Sequence, residues 1–261
     1  MSLIYTPKGK AREYSPLAIN LYLMCSHLCE YCYGWHALQR NPLDYFGIAS
    51  PRKNLIPLLV KELQKQVPTE QVLISFIGDP YTGSTDNNAV TRDVLMLFYQ
   101  HKVKTAVLTK GGAKALRDLA LFQKFGKHIQ VGATLTFYDP KKSLQWEPGA
   151  ALPAERLEML KKLKDGGVPT WASFEPVIEP AETLQLIDHT LQDNSVDVYK
   201  IGMLSNHSLP QPVNWPQFLQ DCLARLRPAG KKIYIKESLR LACPGIFLTP
   251  DEQNPDAYNV V

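Results

Sequence analysis

Three of the chain's five cysteines fall within eight residues, in Cys25-Ser26-His27-Leu28-Cys29-Glu30-Tyr31-Cys32. The spacing is C-x3-C-x2-C, tight enough for one loop to aim all three thiols at one metal centre. Three thiolates are one short of closing a tetrahedral zinc site or a four-iron cluster. If no fourth protein ligand joins, one iron of a [4Fe–4S] cluster stays open to a small molecule. An open position is a catalytic arrangement, whereas a structural site is closed. A disulfide scaffold fits less well, because 261 residues carry only five cysteines and no secretory leader. A reducing, cytoplasmic compartment is the expectation. Zinc would need a fourth ligand. His27 lies inside the triplet, but two residues from each flanking cysteine is not a usual finger spacing.

Other polar groups fall at the ends of apolar runs, and those runs set the fold. Leu17–Leu23, Val72–Ile77, Val103–Leu108, Ile129–Phe137, Val168–Phe174, Val196–Ile201 and Lys231–Lys236 read as buried strands. Helices alternate with them. One is capped by Ser50 with Pro51 at its first position and carries Leu55, Leu58, Leu59, Leu63 and Val67. Others span Asn88–His101, Ala113–Phe125, Pro153–Gly166, Glu182–Leu191 and Pro216–Leu226. Strand and helix in strict alternation predict an α/β fold with a parallel sheet covered on its faces. Six βα units and a seventh C-terminal strand fall short of eight, so a partial (βα)6 TIM-like barrel of parallel strands is expected. Residues 1–16 read as an N-terminal arm crossing the barrel floor or mouth. Residues 242–261 read as a surface extension, and 1–261 as one domain. The stretch from Tyr33 to Ala49, with Trp35, His36, Tyr45 and Phe46, reads as an aromatic loop.

In such a barrel the chemistry sits at the carboxyl ends of the strands. The triplet follows strand one. Gly78-Asp79-Pro80 follows strand two, and Lys110 closes strand three ahead of Gly111-Gly112, which lets backbone approach closely. Thr134 and Thr136 alternate on strand four and share a face, as do Ser173 and Glu175 on strand five. Lys200, Lys236 and Glu237 end strands six and seven, as substrate-side groups or an internal ion pair. Cys222 reads as a core residue within a helix. Cys243 follows strand seven, with fourth ligand, hydrogen-atom donor and bystander as its competing roles.

The triplet, with an aromatic before its last cysteine, resembles the signature of radical S-adenosylmethionine (radical SAM) enzymes. Tyr14-Ser15-Pro16-Leu17-Ala18-Ile19-Asn20-Leu21-Tyr22 leading into it resembles the spore photoproduct lyase-like branch, often labelled "DNA repair photolyase". The resemblance runs from about Ile4 to about Leu241. It implies that Cys25, Cys29 and Cys32 hold a [4Fe–4S] cluster whose open iron is chelated by the methionine end of SAM. One electron from the cluster then cleaves the cofactor to a 5′-deoxyadenosyl radical, which takes hydrogen from a substrate. It further implies an external electron donor of flavodoxin or ferredoxin type. Gly78 and Asp79 stand where the superfamily has Gly-Gly-Glu, facing the SAM ammonium, although Asp79 and Pro80 replace the second glycine and the glutamate. Lys110 is placed to meet the SAM carboxylate. Thr134, Thr136, Ser173 and Glu175 suit the ribose hydroxyls and ammonium, and Tyr31 and Tyr33 suit cluster and adenine packing. One departure stands out. The lyase of this branch carries a hydrogen-donating cysteine at the end of strand two, where this chain has Phe76-Ile77. Cys243 or a tyrosine would have to replace it.

The formal net charge of +4 permits a phosphate-bearing substrate without demanding one. With the branch analogy, it makes a nucleic acid or nucleotide the expected substrate, with a peptide left open. Apolar runs stay below the roughly 18 residues of a membrane span, so no membrane partner is expected. The competing class is a non-catalytic binding protein stabilised by zinc or an inert cluster on the same loop.

Overall fold

A computed structural model of the chain describes residues 2–47, 49–83, 89–205 and 207–261. In chain order it runs β1 (Leu17–Ile19), α1 (Gly34–Ala37), α2 (Pro42–Tyr45), α3 (Leu55–Lys65), β2 (Val72–Ile74), α4 (Ala89–Gln100) and β3 (Thr105–Thr109). There follow α5 (Leu119–Phe125), β4 (Ile129–Thr134), α6 (Pro140–Trp146), α7 (Pro153–Asp165), β5 (Thr170–Val177) and α8 (Pro180–Gln192). The chain closes with β6 (Val198–Met203), α9 (Trp215–Leu226), β7 (Lys232–Ile235), α10 (Glu237–Leu241) and α11 (Pro250–Gln253). One seven-stranded sheet has the order β1 to β7, every neighbouring pair parallel. This is the expected partial barrel, an open crescent. No helix among the described residues is long and apolar enough to cross a membrane.

Strand alternation divides the core in two. Ile19, Ile74, Val107, Val131, Phe174, Tyr199 and Ile235 face outward and pack under helix residues such as Leu59, Phe98, Leu160, Leu186 and Leu219. Ala18, Leu73, Ala106, Trp171 and Val198 face inward and meet Tyr14. Each apolar side chain so buried contributes roughly 1.5–3 kcal/mol. Trp171 fills the concave side because its neighbour is Gly132, where a Cβ would lie 2.6 Å from the indole. Its Nε1–H donates to the Val107 carbonyl at 3.0 Å.

The strands are shorter than their apolar runs, for identifiable reasons. The Asn20 side-chain oxygen accepts the N–H groups of both Phe76 and Ile77 at 3.0 Å, so β1 and β2 stop at Ile19 and Ile74. Thr136 consequently lies beyond β4 rather than on it. On the other hand β5 runs through Glu175-Pro176 to Val177. The helix expected from Ser50 starts later. Pro51 forms an isolated antiparallel bridge with Tyr22, and α3 begins after Asn54, whose φ is 55°. Its stripe is Leu55, Leu59 and Leu63, whereas Leu58 and Val67 are exposed. The helix start expected at Asn88 lies outside the described residues. The span from 113 to 118 belongs to a 3-10 turn, Gly112–Asp118, leading into α5. The aromatic stretch holds two short helices, α1 and α2.

The two chain ends are not loose appendages. The arm enters through an antiparallel bridge, Tyr5 to Ala18. Arg12 forms a forked pair with Asp256 at 2.9 and 2.6 Å. Asn259 and the Val260 N–H bond to Gln71 at the start of β2. The residues after 242, read as a surface extension, therefore close the amino-terminal end of the barrel.

Candidate active site

The cysteine loop leaves β1 and is tied down on three sides. Cys25 shares a parallel bridge with Phe46, its N–H donating to Tyr45 O and its carbonyl accepting from Gly47, both at 3.3 Å. The Ser26 N–H donates to Thr82 Oγ1 at 2.9 Å, and the Thr82 hydroxyl also reaches Cys25 Sγ at 3.8 Å. From the far side, the Glu30 N–H donates to Trp146 O and the Gly149 N–H to His27 O, each at 2.9 Å. A Cβ at Gly149 would lie 2.0 Å from Ser26 O, so only glycine lets the two loops meet. Leu28 turns the loop with φ 55°.

All three thiols open on a cavity of about 510 Å³ at the carboxyl ends of the strands. Cys25 and Cys29 are buried, and Cys32 is partly exposed. Burial pushes the Cys25 thiol up to about 11 and that of Cys29 higher still. Both are protonated as the protein stands, and metal binding would have to release those protons.

Of the remaining residues singled out in the sequence, Tyr31, Tyr33, Gly78, Asp79, Lys110, Thr134 and Glu175 line this cavity. Asp79 does so with its oxygens already engaged. Oδ1 accepts from the Thr109 hydroxyl at 2.6 Å and the Tyr81 N–H at 2.8 Å, and Oδ2 from the Lys110 N–H at 2.7 Å. His27 Nδ1 stands 3.6 Å away. The aspartate thus pins the end of β3. Lys110 projects over the Tyr31 ring, 5.4 Å from its centroid. Burial pulls its pKa down, but Cys29 and Glu147 outweigh burial, so the net shift is upward and the ammonium persists.

Thr136 and Ser173 are fully buried and stand behind the cavity wall. Thr136 donates to Glu147 Oε1 at 3.2 Å, and Ser173 Oγ lies 2.8 Å from the Tyr14 hydroxyl. Cys243 is a correction. It is 3% exposed within the outer hydrophobic core and does not line the cavity, because the turn after α10 carries it behind the sheet. Cys222 is also core, as expected. Lys236 forms an internal pair with Glu175 at 2.5 Å, and not with its neighbour Glu237. Lys200 is buried inside the barrel, donating to the Tyr14 carbonyl at 3.0 Å with the Trp171 and Tyr234 rings beside it.

Several site residues escaped the sequence reading. Tyr14, on the arm, places its hydroxyl between Ser173 and Glu175 and lines the cavity. Glu147 accepts from the Tyr31 hydroxyl and pairs with Arg156 at 2.6 Å, both side chains essentially unexposed. Burial raises the Glu147 pKa, but Arg156 and Lys110 more than reverse this, leaving it below the usual range. Arg156 had a signal, since it stands one turn before Leu160 on the buried stripe of α7. Glu147 had none.

No family model matches the sequence. An uncharacterised protein of Methanocaldococcus jannaschii is 28% identical over 160 residues, covering 61% of this chain and 60% of its own. Another, from Acidianus two-tailed virus, is 25% identical over 196 residues, covering 69% and 64%. Among solved structures, SuiB of Streptococcus suis bound to S-adenosylmethionine superposes with a TM-score of 0.62 at 15% identity. That match covers 89% of this chain and 53% of SuiB. A variant of spore photoproduct lyase with bound AdoMet and dinucleoside spore photoproduct gives 0.59 at 12% identity, covering 85% and 63%. The chain therefore spans under two thirds of each of these proteins. What it shares with the two structures is their fold, and the resemblance read in the sequence has its counterpart there.

Proposed function

We propose that the chain is a radical SAM enzyme of the spore photoproduct lyase-like branch. The observation that carries this is the convergence of Cys25, Cys29 and Cys32 on one cavity, beside a persistent Lys110 ammonium at the barrel mouth. The donor set fits a [4Fe–4S] cluster. A single ion needs its ligands at about 2.3 Å from one point. Among the described residues, no three His, Cys, Asp or Glu side chains converge that closely. A cubane takes three thiolates on three separate irons and asks for wider spacing. When bound, such a cluster supplies the one electron that breaks the sulfonium C–S bond of SAM.

The chain's own residues do the rest. Lys110 draws the carboxylate of SAM, and Asp79 holds Lys110 in place rather than binding the ammonium itself. Thr134 and Tyr33 offer hydroxyls along the wall, with Gly78 giving a close backbone approach. Glu175, buttressed by Lys236 and Tyr14, faces the side where substrate enters. Thr136 and Ser173 act from behind that wall, through Tyr31 and Tyr14. The external donor is of flavodoxin or ferredoxin type, the setting is the cytoplasm, and residues 1–261 form one domain. The substrate is a nucleic acid or nucleotide, supported by the basic balance and by the dinucleoside held by spore photoproduct lyase. SuiB, which binds a precursor peptide, marks the peptide alternative.

The test is anaerobic purification, iron and sulfide analysis, and incubation with SAM and dithionite. A brown protein that forms 5′-deoxyadenosine, with both properties lost in Cys29→Ala, is the expected result. A colourless zinc protein that leaves SAM intact rules the proposal out.

A further inference from the structure

Tyr45 is 1% exposed and lines the cavity, yet no sequence signal marked it as more than an aromatic in a loop. It is delivered by α2, whose start is fixed by Asn41 accepting the Leu43 N–H at 3.0 Å. Its backbone bonds to Cys25. Its hydroxyl is held from two directions. The Gly78 N–H donates to it at 3.3 Å, and the hydroxyl itself donates to Cys32. Gly34 makes room for it, since a Cβ there would lie 2.3 Å from the Tyr45 oxygen. The Gly34 N–H is a second donor to Cys32 Sγ, at 3.4 Å. Burial and the adjacent Cys32 and Cys25 hold the Tyr45 pKa well above its ordinary value, so this O–H stays a donor.

Hydrogen bonds to ligand sulfur withdraw charge from an iron–sulfur cluster and raise its reduction potential. We infer that Tyr45 is a positioning residue whose hydroxyl tunes the cluster through Cys32, setting how readily the cluster accepts an electron. This inference rests on the proposed function. It adds a relay, Gly78 to Tyr45 to Cys32, linking the turn after β2 to one thiolate.

The test compares wild type, Tyr45→Phe and Tyr81→Phe, each reconstituted anaerobically with iron and sulfide. Tyr81→Phe removes an equally buried hydroxyl that donates to Asp118 at 2.8 Å, away from the cysteines. Potentials are read by redox titration followed by electron paramagnetic resonance. At equal iron content, Tyr45→Phe should have a more negative midpoint than wild type, and Tyr81→Phe an unchanged one. Tyr45→3-fluorotyrosine, a stronger donor of nearly the same shape, should move the midpoint the opposite way. A fully loaded Tyr45→Phe with an unshifted midpoint overturns the inference alone, as does an equal shift in Tyr81→Phe. Should the phenylalanine variant fail to load, an unshifted or lowered midpoint in the fluorotyrosine protein overturns it instead. A wild type that takes up no iron and sulfide defeats the proposed function and this inference together.

Discussion

Glu147 and Arg156 form an ion pair with no solvent to share, and Tyr31 hangs from it. Removing one partner of such a pair strands the other, at about 3–5 kcal/mol. Glu147→Gln should therefore lower the denaturation midpoint clearly, and it should free Tyr31 from its buried acceptor. Urea unfolding checks this, and a change within 1 kcal/mol would count against a tightly buried pair. Lys200 makes a second, opposite case. Burial, then Lys236, bring its pKa down from 10.5 to about 7. Between those values the unfolded chain binds a proton that the folded chain does not. Stability from this site therefore rises with pH above 7, by up to roughly 1.4 kcal/mol per unit. Wild type measured against Lys200→Met between pH 7 and 9 should show that rise, and parallel curves would contradict it. At this scale the triplet was legible because ligand spacing is local. Glu147 was not, because its role depends on Tyr31, 116 positions away.

The loop from Trp146 to Ala151 is the element that presses the cysteine loop into shape. Gly149→Ala would push a methyl into the Ser26 carbonyl. The expected outcome is a protein with native far-ultraviolet dichroism and a several-fold loss of iron uptake. Unaltered uptake would show that the loops do not need this contact. The sequence revealed the strands, but not where they end. An apolar run does not disclose that Asn20 takes over the ladder bonds of Phe76 and Ile77. Helix α6 carried a start signal in Asp139-Pro140, whose carboxylate accepts the Lys141 N–H at 2.7 Å. At seven residues it is too short to show an apolar stripe.

For the molecule as a whole, the open crescent leaves its interior to be filled, and the chain fills it with its own ends. Tyr14 rises from the arm into the cavity wall, while the residues around Asp256 and Asn259 seal the base. Alternating strands and helices announced the barrel. Contacts between segments 244 positions apart, such as Arg12 with Asp256, leave no trace in local pattern. Arg12→Ala should cost little stability, about 1 kcal/mol or less, because both side chains are more than a third exposed.

What the whole arrangement serves is an iron corner that the chain itself leaves free. The most direct measurement is the electron paramagnetic resonance spectrum of the dithionite-reduced, anaerobically purified protein, recorded with and without SAM. The account predicts a reduced four-iron signal whose shape changes when SAM is added and which is lost in Cys29→Ala. A cluster signal indifferent to SAM, or no cluster signal at all, would contradict it.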